Sequence, residues 1–282
     1  FLPGFSLPPE VEITDELARA VAGAEVVVSV VPAQFLRRVW DELRAELSPR
    51  AVVVSATKGL ENESLLRPTE VIRRALGDSR ELAALSGPSF AREVAAGLPT
   101  AVVVAAEEEA LARELQEELS GPTLRLYTNT DVAGVEIGGA VKNVIAIAAG
   151  VSDGLELGTN ARAALITRGL AEITRLAVAC GGRRETLAGL AGLGDLVLTC
   201  TGALSRNRSV GWELARGRKL EEIVGSMRMI AEGVETTRVT RALGRRLGVE
   251  LPITGQMHRM LFEGVAPQSA VRELMERALK EE

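Results

Sequence analysis

The stretch Ala51–Gly77, AVVVSATKGLENESLLRPTEVIRRALG, decides the fold. Its opening run, AVVVSA, is continuously apolar rather than alternating, which is how a strand buried on both faces reads. A polar loop with one glycine follows, and 64–77 then carries the spacing of an amphipathic helix. Strand, loop and helix make half of a crossover unit, so the flanking sequence is expected to repeat the pattern.

It does so on both sides. Further strands are predicted at 24–31 (AEVVVSVV), 82–87, 100–106 and 124–129, with helices at 33–47, 89–96 and 107–119. This order predicts a mainly parallel, doubly wound sheet with right-handed crossovers. Only a short helix separates 82–87 from 100–106, which leaves room for an antiparallel turn among the later strands. After Asp131 no strand is predicted. Helices are expected at 132–151, 160–181, 184–190, 206–216, 219–226, 233–247, 254–263 and 267–281, punctuated by pairs such as Leu251–Pro252 and Ala266–Pro267. The expected fold class is therefore α/β then all-α: a partial, Rossmann-like sheet domain over 1–132 and a helical domain over 133–282.

Composition narrows the chemistry. A chain of 282 residues with 46% hydrophobic side chains can build two real cores. Net charge is −5 with the signs interspersed, and aromatics are 3%, so neither a basic stripe nor a stacking platform is available for nucleic acid. Cys180 and Cys200 lack framework spacing and read as reduced thiols of a cytoplasmic protein, a single disulfide between them being the alternative. No signal peptide and no uninterrupted apolar run of about 18 residues is seen, so no membrane span is expected. The one histidine, His258, argues against a multi-histidine metal site and a Ser-His-Asp triad; it is expected on a helix surface. Proton chemistry, if present, falls to a lysine or a carboxylate.

The lysines are scarce. Of 33 basic residues only Lys58, Lys142, Lys219 and Lys280 are lysine. Lys219 and Lys280 sit in charged stretches, whereas Lys58 and Lys142 sit among apolar residues and glycine. Arginine stays charged there, but a desolvated lysine can lose its proton near neutral pH. Helical spacing puts Gly138, Gly139, Ile145, Ala146 and Ala149 on the face of Lys142, leaving a groove where a ligand or another backbone can come close. The alternative is a lysine that snorkels to solvent. Asn143 beside it could orient a polar partner.

Open parallel sheets bind ligands beyond the carboxyl ends of their strands. Those ends carry Val31–Pro32, Ser55–Gly59 and Ser86–Ala91. Gly87 permits a tight reversal, and Ser89 either caps the next helix or meets an anion. The GxGxxG fingerprint is absent, and Gly192-Leu193-Gly194 follows no strand. Asp195, flanked by apolar residues, needs a cationic partner if buried. Ser205-Arg206-Asn207 suits a phosphate, or is an ordinary helix N-cap followed by exposed arginines.

Six segments, in order, carry a resemblance: ATKGLE (56–61), SGPSFAREV (86–94), GAVKNVIAIAAGVSDGL (139–155), GLGDLVLTC (192–200), SRNR (205–208) and AEGVET (231–236). Together they resemble the bacterial NAD(P)-dependent glycerol-3-phosphate dehydrogenases. The resemblance implies a cytoplasmic homodimer that interconverts sn-glycerol 3-phosphate and dihydroxyacetone phosphate with NAD or NADP, feeding phospholipid synthesis. It implies a dinucleotide-binding domain over 1–132 and a substrate domain over 133–282. Matched by position, Lys142 is the proton acceptor, Lys58 touches both cofactor and substrate, and Asp195 holds either Lys142 or a substrate hydroxyl. Gly87, Ser89, Asp195, Ser205, Arg206 and Asn207 are implied substrate contacts; Ala91, Arg206, Ile230 and Glu232 are implied cofactor contacts. The family opens with a further βαβ unit ahead of anything like FLPGFSLPP, so the resemblance implies N-terminal truncation and an exposed sheet edge. NAD or NADP stays open, because the discriminating strand end lies in that unit. The alternatives are a related hydroxy-acid dehydrogenase and a non-catalytic sugar-phosphate-binding paralogue or fragment.

Overall fold

Five strands, β1 (Val26–Ser29), β2 (Val52–Ser55), β3 (Leu82–Ser86), β4 (Thr100–Ala106) and β5 (Leu124–Asn129), form one sheet in the order β1-β2-β3-β4-β5. The structure is a computed structural model that describes residues 2–78, 80–227, 231–279 and 281. Strands β1 to β3 are mutually parallel, β3 and β4 are antiparallel, and β4 and β5 are parallel. The reversal falls at the short connection. Its helix has five residues and climbs only about 8 Å, half the ~17 Å length of β3, so the chain re-enters the sheet from the end it left.

The sheet half carries α1 (Leu17–Val21), a 3-10 turn at Ala33–Phe35 running into α2 (Leu36–Leu43), α3 (Pro68–Leu76), α4 (Ala91–Ala95) and α5 (Glu109–Leu119). Helices follow throughout the rest: α6 (Val132–Gly154), α7 (Gly158–Ala179), α8 (Arg184–Leu187), a π-helical turn at Leu190–Gly194 leading into α9 (Asp195–Thr201), α10 (Arg206–Ala215), α11 (Leu220–Ser226), α12 (Glu232–Leu247), α13 (Pro252–Phe262) and α14 (Pro267–Met275). The sequence did not predict α1 or α9. The helix predicted at 64–77 starts only at Pro68, because Leu65 adopts a left-handed backbone (φ 61°) and proline suits the first helical turn. The last helix stops at Met275 rather than 281.

Trp40, Leu36 and Ile72 pack from α2 and α3 onto Val53. Leu115 and Ala112 of α5 pack onto Val104 and Leu126. The helical half is built around α6, whose Ile145 and Ile147 lie buried with Ile173 and Leu176 of α7. By length and composition α6 could cross a membrane, but here it is wrapped by protein. Leu60, from the loop after β2, is also buried in this helical core.

Against α10, α6 makes backbone contact. A Cβ on Gly150 would lie 1.9 Å from the Arg208 carbonyl oxygen, and one on Gly211 would lie 1.9 Å from that of Ile147. That contact lies on a different face from the one predicted around Lys142, where a Cβ on Gly138 would meet the Ala191 carbonyl oxygen (2.7 Å) and one on Gly139 would meet Ser86 Oγ. Both cysteines are free thiols, with Cys200 buried.

Candidate active site

The chain leaves β2 at Ser55 and turns across the sheet edge. Thr57 Oγ1 donates to the Val31 carbonyl (2.7 Å), joining the loops that follow β1 and β2. Lys58 then reaches past β3: its Nζ donates to the Gly87 carbonyl (3.3 Å) and to Asp195 Oδ2 (2.8 Å). From the other half, Lys142 Nζ ion-pairs with Asp195 Oδ1. Asp195 is 1% exposed and has the cationic partner its burial demands twice over.

Local structure explains the meeting. The π turn at Leu190–Gly194 delivers Asp195 as the first residue of α9, and Thr199 Oγ1, one turn on, donates to its carbonyl (2.6 Å). A Cβ on Gly139 would lie 2.6 Å from Ser86 Oγ, so α6 presses directly on the end of β3. Lys142 emerges one turn later. It is 5% exposed, which excludes the snorkelling alternative. Burial, assisted by the neighbouring Lys58 ammonium and opposed by Asp195, lowers its pKa to about 7.

These groups line a cleft of about 420 Å³ between the two halves. Ser89, Ala91, Ser205, Arg206, Asn207 and Glu232 line it with Lys58, Lys142 and Asp195. Gly87 contributes its carbonyl to Lys58 from a left-handed backbone, φ 144°. Ser89 Oγ donates to that same carbonyl (3.0 Å) and does not cap α4; Phe90 occupies the cap position. Ser205 is the N-cap of α10, its Oγ accepting the Arg208 N–H (3.3 Å), and the residue also lines the cleft. Asn207 Oδ1 accepts the Gly233 N–H (3.0 Å), so its oxygen serves α12 and its amide nitrogen is what remains for the cleft. Burial raises the Glu232 carboxyl against the opposing charges of Arg206, Lys58 and Lys142. Ile230 lies outside the described residues.

Asn143 and Thr199 also line the cleft. Thr199 went unnoticed in sequence, where the helix that sets it four residues from Asp195 was not predicted. His258 is remote from the cleft, half-buried on α13 beside Glu263 (Nδ1 to Oε1, 3.0 Å) and edge-on to Phe262. A larger, mostly apolar cavity of about 740 Å³ between α6, α7, α13 and α14 is lined, among the described residues, by none of the predicted site residues.

A Rossmann-like sheet whose carboxyl edge opens on a lysine-lined cleft, closed by a helical second half, defines a two-domain dinucleotide-dependent dehydrogenase. The comparisons agree. The NAD-dependent glycerol-3-phosphate dehydrogenase N-terminus matches residues 1–112, and the C-terminus of the same family matches 131–272. A glycerol-3-phosphate dehydrogenase [NAD(P)+] of Koribacter versatilis is 58% identical over 98% of this chain and 83% of its own length. One from Geobacter sp. (strain M21) is 56% identical over 100% and 85%. The crystal structure of glycerol-3-phosphate dehydrogenase from Coxiella burnetii superposes with a TM-score of 0.94 at 44% identity, covering 98% of this chain and 85% of that one. The chain belongs to the NAD-dependent glycerol-3-phosphate dehydrogenase family.

Proposed function

We propose that the protein interconverts sn-glycerol 3-phosphate and dihydroxyacetone phosphate using NAD or NADP. The observation that carries the reading is that one buried carboxylate, Asp195, binds a lysine from each half in the cleft.

The cleft chemistry fits a dinucleotide and a phosphorylated triose. It lies at the carboxyl edge of β1 to β3 and offers two cations, Lys58 and Arg206, beside the apolar walls Val30, Val31 and Phe90. Lys58, Ala91, Arg206 and Glu232 would hold the cofactor. When bound, nicotinamide supplies or accepts the hydride.

The chain itself must place the substrate and manage one proton. Ser205, Arg206 and the Asn207 amide are set to take the phosphate at the start of α10, where the helix N-terminus favours an anion. Gly87 and Ser89 bound the triose end. As the ketone is reduced, its oxygen gains alkoxide character; protonated Lys142 stabilises that charge and then donates its proton. In the reverse direction neutral Lys142 takes the hydroxyl proton. A pKa of about 7 makes both forms available near neutrality. Asp195 holds Lys142 and Lys58 in place and limits their mutual repulsion.

We further propose that residues 1–132 carry the dinucleotide and 133–282 the substrate, in a cytoplasmic homodimer whose product feeds phospholipid synthesis. The test of the reaction is direct: the purified protein is assayed with NADH and NADPH against dihydroxyacetone phosphate and a 2-keto acid. Oxidation of the cofactor with dihydroxyacetone phosphate alone is expected. Preference for the 2-keto acid, or no turnover with either, would overturn the reading.

A further inference from the structure

Outside the cleft, a second cross-link ties the sheet half to α6. Glu136, buried on α6, accepts from Arg67 Nη1 (2.6 Å), from the Thr69 N–H (2.8 Å) and from Thr69 Oγ1 (2.7 Å). Arg67 and Thr69 form the entry to α3. Lys58 lies eleven residues before Thr69 on the same connection. Between them Leu60 is buried in the helical core, Asn62 Nδ2 meets Glu235 Oε2 (3.4 Å), and Arg246 Nη1 donates to the Ser64 carbonyl (3.3 Å). From the sheet half, Gln34 Nε2 donates to the Leu60 carbonyl (2.8 Å) and Arg37 Nη2 to Glu61 Oε2 (2.7 Å), so the segment 58–69 is a strap held between the two halves along its middle. Its near end meets α6 through Asp195 and Lys142. Its far end meets α6 through Glu136, six residues and about 9 Å earlier on the same helix.

We propose that Glu136 is a positioning residue for proton transfer: by holding Arg67 and Thr69 it fixes the strap whose other end sets Lys58 against Asp195 and Lys142. The inference rests on the reading of Lys142 given above, but its geometry does not depend on turnover. With the far end released, Lys58 has fewer constraints and recedes, while Asp195 stays with Lys142. The groups facing Lys142 are Lys58 from the strap, Asp195 and Cys200 from α9, Glu232 from α12 and Arg206 from α10. Of these, Lys58 is the one the strap positions.

Signs separate this role from a simple electrostatic one. Removing the Glu136 charge by itself would lower a lysine pKa, whereas withdrawing Lys58 raises that of Lys142. Four lysines allow each to be titrated by NMR in protein labelled at the lysine side-chain ε-carbon. Glu136→Gln is expected to raise the Lys142 midpoint by about half a unit or more and to lower kcat by up to about ten-fold, with KM raised as well because Lys58 is also proposed to hold the cofactor. Thr69→Val removes one bond and no charge, folds more safely, and is expected to shift the midpoint the same way by less. Glu172→Gln is the control. Glu172 on α7 accepts from the Ile253 and Thr254 N–H groups at the start of α13 and from the Thr254 hydroxyl, but is remote from the cleft; its loss should leave Lys142 unmoved. An unchanged or lowered Lys142 midpoint in Glu136→Gln and Thr69→Val would overturn the proposal. A wild-type protein that binds but does not turn over dihydroxyacetone phosphate would instead strike the proposed reaction, leaving the titration to decide this inference separately.

Discussion

The two walls of the cleft are built by opposite means. On the sheet side, Lys58, Gly87 and Ser89 leave from the ends of β2 and β3, and strand register fixes where they emerge. On the helical side, Asp195, Arg206 and Glu232 are each the first residue of a helix, and Lys142 lies mid-helix in α6. Their placement depends on how closely helices approach. The difference teaches that one wall depends on polar contacts made along its loops, whereas the other is set by backbone contact at glycine and has little room to adjust.

The two lysines test the comparison most strongly. Lys142→Arg keeps a charge but abolishes proton exchange, so kcat is expected to fall about 10²- to 10⁴-fold. Lys58→Arg keeps what that position supplies, a cation at the strand end, and should cost roughly ten-fold through altered geometry. Steady-state kinetics of both variants checks this; equal losses would erase the distinction between the walls. A smaller effect is expected in stability. Gly211→Ala drives a methyl group into the Ile147 carbonyl and should destabilise by about 1–3 kcal/mol. Gly121→Ala, at the turn into β5 with nothing within 4 Å, should be close to neutral. Denaturant unfolding of the two variants measures the contrast, and equal midpoints would contradict it.

The same contrast explains what could be read from sequence. The five strands lie within two residues of their predicted ends; β1, β2 and β4 announce themselves as valine runs, and β3 and β5 as short apolar-containing stretches between polar and glycine signals. Lys142 stood out because a lysine among glycines and alanines on an apolar helix needs a reason. Helix α9 did not, since its approach through Gly192 and Gly194 reads as a loop, and Thr199 was lost with it. The second use of Asn207, holding the Gly233 N–H of α12, joins residues 26 apart and has no local signature. Neither has the Glu136 clasp, whose partners lie 67 and 69 positions away. Leu60 reads as part of the sheet half, yet it is buried with the helical core. Long-range polar contacts and helix–helix approach are properties of the folded packing, and a periodicity reading is blind to them.

The central claim is that one buried amine, Lys142, both gives and takes the proton. Burial and Lys58 lower its pKa to about 7, so the protonated form is depleted as pH rises through that value. The pH dependence of kcat/KM in both directions tests this most directly. Reduction of dihydroxyacetone phosphate, which needs the ammonium, should fall above about pH 7, and oxidation of sn-glycerol 3-phosphate, which needs the free amine, should rise over the same window. Limbs that run the same way in both directions, or opposed limbs that persist in Lys142→Arg, would contradict the account.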